Sequence, residues 1–66
     1  MKKINEGLYE YKKIRVTLDL NGNYVAKVYV KDLTLPMTIV GATQKSFKDN
    51  FNRLVFEHGG IDWRKM

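Results

Sequence analysis

The chain predicts an α+β fold: a three-stranded antiparallel sheet with one C-terminal helix packed on one face, in the order β-β-β-α. Three stretches predict it. Between Ile14 and Val30, apolar and polar residues alternate on both sides of Leu20-Asn21-Gly22, the period-two pattern of a half-buried hairpin. Met37-Thr38-Ile39-Val40 gives a third short strand after Pro36, and a lone proline of this kind sits at a strand start or an edge because it has no amide to donate. Phe47, Phe51, Leu54, Val55 and His58 then fall on one stripe at about 100° per residue, the mark of an amphipathic helix.

The hairpin register follows from a test of two loops. A two-residue Asn21-Gly22 loop pairs Leu18 with Val25 and Val16 with Lys27, which sets apolar residues beside a lysine. A three-residue loop, Leu20-Asn21-Gly22, with Gly22 in the left-handed position, pairs Leu18 with Tyr24, Val16 with Ala26 and Ile14 with Val28. All the apolar residues then share a face. The opposite face carries Lys13, Arg15, Thr17, Val25, Lys27, Tyr29 and Lys31, with no acid before Asp19.

Thr43 is the expected N-cap of a helix from Gln44 to His58, and Gly59-Gly60 supplies the stop. Such a helix covers the apolar sheet face, which three strands alone leave in water. Phe56 falls on the opposite side of it. The favoured reading has the tail Ile61-Asp62-Trp63 fold back over Phe56, and the other makes Phe56 and Trp63 a partner contact. The expected organisation is one domain over residues 1–66: a flexible basic arm at 1–8, the sheet at 9–42, the helix at 43–58 and a tail at 59–66. Tyr9 and Tyr11 extend the basic face if the first strand runs straight through Lys12 and Lys13.

A chain of 66 residues buries only about 60% of its unfolded surface, so little stability is held in reserve. The formal charge of +5 favours polyanionic partners. Without cysteine there is no disulfide scaffold, thiolate metal site or cysteine nucleophile. No leader or apolar span of about 20 residues is visible, so a soluble, cytoplasmic protein without membrane contact is expected.

Catalytic residues are not expected. His58, the single histidine, ends the apolar stripe, where a structural role beside the helix C-terminus suits it; Ser46 has no base near it in sequence and suits the capping turn. The seven acids show no metal-ligand spacing, and no glycine run matches a phosphate loop, so neither metal, cofactor nor small-molecule substrate is expected.

The strand Tyr24-Val25-Ala26-Lys27-Val28-Tyr29-Val30, placed in a three-strand, one-helix order with the helix entered through Gly41-Ala42-Thr43, resembles the arm-binding N-terminal domains of tyrosine integrases. It is similar also to the plant ethylene-response-type DNA-binding domains. The resemblance spans about residues 14–56 and implies a phage or mobile-element DNA-binding domain whose sheet enters the major groove. It assigns base and phosphate contacts to Arg15, Lys27, Tyr29 and Lys31. The aromatic strand, the segment Asp32-Leu33-Thr34-Leu35-Pro36 and Gly41-Ala42-Thr43 also resemble the partial fold of HicB-like antitoxins, which implies a protein partner instead. The leading expectation is therefore a non-enzymatic module that binds duplex DNA through Lys13, Arg15, Lys27, Tyr29 and Lys31. The alternative is a protein-binding module that uses a sheet edge or Phe56 and Trp63.

Overall fold

A computed structural model describes residues 1–66. It shows an α+β chain with one antiparallel sheet and one helix, but the sheet has five strands rather than three. They are β1 (Lys2–Asn5), β2 (Leu8–Tyr11), β3 (Ile14–Leu18), β4 (Tyr24–Val28) and β5 (Met37–Gly41), joined as a meander in chain order. Helix α1 (Gln44–Glu57) and a short 3₁₀ turn (Trp63–Lys65) follow.

The expected arm at residues 1–8 is instead β1 and the start of β2. Lys2 lies opposite Glu10, and Lys3 opposite Tyr9. The expected straight run from Tyr9 through Lys13 is broken by a tight turn. Lys12 and Lys13 both adopt positive φ (50° and 65°), as the two central positions of a type I′ hairpin turn require. Tyr9 then pairs with Val16 and Tyr11 with Ile14, so both rings join the apolar face, not the basic one. The gain is aromatic packing. Tyr9 meets Tyr24 edge-on at 5.3 Å, and Tyr11 stands edge-on to Phe51 at 5.1 Å and Phe47 at 6.3 Å. These contacts and the buried ring area offset the cost of two left-handed lysines.

The β3–β4 hairpin has the register that pairs Leu18 with Tyr24 and Thr17 with Val25. Gly22 has φ 80°, and Asp19 holds the loop by accepting hydrogen bonds from the backbone amides of Asn21 (2.8 Å) and Asn23 (2.9 Å). Ile14, Val16, Ala26, Val28, Val30, Ile39, Phe47 and Phe51 form the buried core. Thr43 caps α1 in a reciprocal capping box with Ser46, and Phe47 and Phe51 are its fully buried residues. Helix and β5 approach closely at Gly41, where a Cβ would run into the backbone of Phe47.

The tail does fold back, but onto a different place from the one expected. Val30 bridges Ile61, the Asp62 amide donates to Tyr29 O at 2.9 Å, and the Lys31 amide donates to Gly60 O at 3.1 Å. The tail thus adds a short extended segment beyond the end of β4. Phe56 stays 85% exposed, and Trp63 is 52% exposed. No helix is long and apolar enough to cross a membrane.

Candidate nucleic-acid interface

The outer sheet face is ordered in rows by the strand register. One row runs Leu8, Thr17, Val25, Val40 across β2 to β5. The next starts with Lys2 opposite Glu10 and Glu10 opposite Arg15; Lys27 and its partner Thr38 continue it, because Arg15 and Lys27 lie two residues on from the Thr17–Val25 pair. A mostly apolar row thus runs beside a mostly charged one.

At the basic end of this face, Ile4, Glu10, Lys13, Arg15, Lys27 and Met66 surround a shallow depression of about 410 Å³. Three of the five expected contact residues meet here, each delivered by a different element. Lys13 comes from the left-handed β2–β3 turn, not from the strand in which it was expected; Arg15 comes from β3 and Lys27 from β4. Glu10 is an acid that the expected face lacked. It arrives through the same turn that reverses Tyr9 and Tyr11.

Tyr29 and Lys31 do not line the depression. Tyr29 is half-buried, with its carbonyl taken by the Asp62 amide and its own amide directed at Met66 Sδ. Lys31 lies past the end of β4 beside Gly59 and Gly60. The tail takes the place that a longer fourth strand was expected to fill.

The molecule's ion pairs lie elsewhere, Lys3 with Glu6 and Asp62 with Arg64 and Lys65, and Asp32 is hydrogen-bonded to His58. The Glu6 carboxylate, by hydrogen bond and then by charge, holds the Lys3 ammonium above the ordinary lysine value. His58 Nδ1 is 2.9 Å from Asp32 Oδ1, which ties the β4–β5 connection to the end of α1. Arg15, Lys13 and Lys27 carry their charge toward solvent.

A second concavity, of about 480 Å³, lies on the helix side. Phe51, Val55, Phe56 and Ile61 form its apolar wall and Lys12 and Asn52 its polar rim. Of the two alternative contact residues, Phe56 lines this groove. Trp63 instead borders an open hollow of about 540 Å³ with Lys12 and Lys13. Sequence reasoning missed Glu10 and Met66 as neighbours of the basic residues. A two-residue turn at Lys12–Lys13, tested as the Asn21-Gly22 loop was tested, would have found Glu10; nothing in the pattern marks Met66. No protein-family model, curated protein or solved structure matches this chain.

Proposed function

We propose that the chain is a non-enzymatic nucleic-acid-binding module that takes duplex DNA at the basic end of its outer sheet face. The observation that carries this reading is the convergence of Lys13, Arg15 and Lys27, from three elements, on one solvent-open depression without ion-pair partners. Cations held this way neutralise backbone phosphates and release counterions, the main source of affinity for DNA. Arg15 is the residue suited to a bidentate contact with guanine, while the lysines act as point charges on phosphate.

Five strands change how such a surface meets a duplex. At about 4.8 Å per strand spacing the sheet is roughly 19 Å across, wider than the ~12 Å major groove, so it cannot enter whole. The β2–β3 turn and the adjoining ends of β3 and β4 can. The resemblance to integrase arm-binding domains supports sheet-face recognition of this kind, with β3, β4 and β5 as the strands it covers.

A second reading rests on Phe56, whose exposed ring beside Phe51, Val55 and Ile61 offers an apolar anchor for a protein partner. An NMR titration of ¹⁵N-labelled protein with a short blunt duplex decides between them. Shifts centred on Lys13, Arg15 and Lys27 are the expected result. Shifts confined to the exterior of α1, or none, would overturn the proposal and favour the protein-binding reading.

A further inference from the structure

We infer that Trp63, with Lys12 and Lys13, forms a stacking site for an unpaired nucleobase at the border of the basic depression. The preferred ligand is then a duplex that carries a single-stranded extension. This inference rests on the nucleic-acid reading above and deepens it.

Lys12 and Lys13 are adjacent in the β2–β3 turn, and Trp63 lies fifty residues later, yet the three side chains bound one hollow. Lys13 also lines the depression with Arg15 and Lys27, so the two surfaces share one residue. A duplex held at Arg15 and Lys27 therefore leads past Lys13 to an indole.

Trp63 is not a loose end. Asp62 is buried, its amide donates to Tyr29 O, and its carboxylate accepts from the Arg64 amide at 3.2 Å, which starts the 3₁₀ turn that carries the indole. Lys65 Nζ reaches Leu33 O at 3.4 Å and secures the far side. The ring is held by a segment tied down at both ends, so little backbone freedom is lost when a base docks. The indole is half exposed and shares its hollow with two lysines.

The roles divide within the hollow. Lys12 Nζ is engaged by Asn52 Oδ1 at 2.7 Å and lies 5.4 Å from the Tyr11 ring centroid, so its stem forms the wall and its charge faces the helix. The Lys13 ammonium is the one placed to meet the phosphate next to a stacked base. An aromatic ring beside cations suits a single strand, because every base has a π-face and its backbone needs neutralising. Paired bases inside a duplex offer no free face to such a ring.

The sole tryptophan is also the probe. Its intrinsic fluorescence is followed while the intact protein is titrated with a blunt duplex, the same duplex with a three-nucleotide overhang, and a single strand. Affinity is read in parallel by anisotropy of labelled DNA. Saturable quenching by the overhang duplex and the single strand, but not by the blunt duplex, is expected, with the overhang duplex bound about 5- to 150-fold more tightly than the blunt one, the worth of one stacked base. Trp63→Ala should abolish that preference and leave blunt-duplex affinity unchanged, while Trp63→Phe retains part of it. Equal affinity for blunt and overhang duplexes without quenching would overturn the stacking site and leave the basic-face reading standing. No binding to any of the three would overturn both.

Discussion

Two residues make steric and electrostatic arguments directly measurable. Gly41 has no room for a side chain: a Cβ would collide with the backbone N and Cα of Phe47, and backbone cannot swing aside as a flexible side chain can. Gly41→Ala should therefore cost on the order of 1–3 kcal/mol by urea denaturation, the range of an overpacked core. Asp19 supplies the electrostatic case. Hydrogen bonds from the backbone amide of Asn23 first, then of Asn21, hold its carboxyl below the ordinary value of 3.8. A carboxyl depressed in the folded state contributes stability that is present above its unfolded value and is lost as pH falls through the folded one. On acidification from about pH 5 to pH 3, the parent should thus lose more thermal stability than Asp19→Asn, whose amide does not titrate in that range. Melting curves recorded across that interval check it; parallel loss in the two proteins would refute the turn's role.

At the scale of elements, α1 shows how a stripe read from sequence becomes packing. Phe47 is fully buried whereas Phe56, nine residues on, is 85% exposed. Phe47→Ala should cost about 3–5 kcal/mol, enough to unfold so small a domain, and Phe56→Ala should change stability by less than about 0.5 kcal/mol. Removal of the cap by Thr43→Ala should cost about 1 kcal/mol. Chemical denaturation of the three variants reads all of these. The helix, its cap, the β3–β4 register and β5 were legible because each carries a strong local signal: a 3.6-residue stripe, Thr43, Gly22 and Pro36. The β1–β2 half was not. Its turn is made of Lys12 and Lys13, residues with no turn preference, and what holds them left-handed is the burial of Tyr9 and Tyr11 against Tyr24, Phe47 and Phe51, contacts of long sequence separation. That one unseen turn accounts for the reversal of both tyrosines and the arrival of Glu10 on the outer face. The tail was half legible: its return was expected from its apolar residues, but its place beside Tyr29–Lys31 depends on backbone pairing that no side-chain pattern announces.

At the scale of the whole molecule, 31 × 20 × 18 Å, the fold brings three of the chain's twelve lysines and arginines to one depression. The acids Glu6, Asp32 and Asp62 are occupied with Lys3, His58, Arg64 and Lys65, and Glu10 alone tempers the basic end of the sheet. Of the five residues expected from sequence to touch DNA, Lys13, Arg15 and Lys27 are brought together, while Tyr29 and Lys31 are drawn into the seam with the tail. The central claim is that these three cations bind nucleic acid, the lysines at phosphate and Arg15 at a base edge. The most direct measurement is DNA affinity as a function of salt for the parent, the Arg15→Ala/Lys27→Ala double variant and, as a control on the exposed start of α1, Lys45→Ala. The double variant should bind more weakly at every salt concentration, and its slope of log K against log[salt] should be shallower than the parent's by about 1, for the phosphate that Lys27 no longer neutralises, while the loss of Arg15 costs on the order of 1–3 kcal/mol at a preferred site. Lys45→Ala should match the parent, whereas parental affinity and slope in the double variant would contradict the account even if the protein binds DNA by another surface.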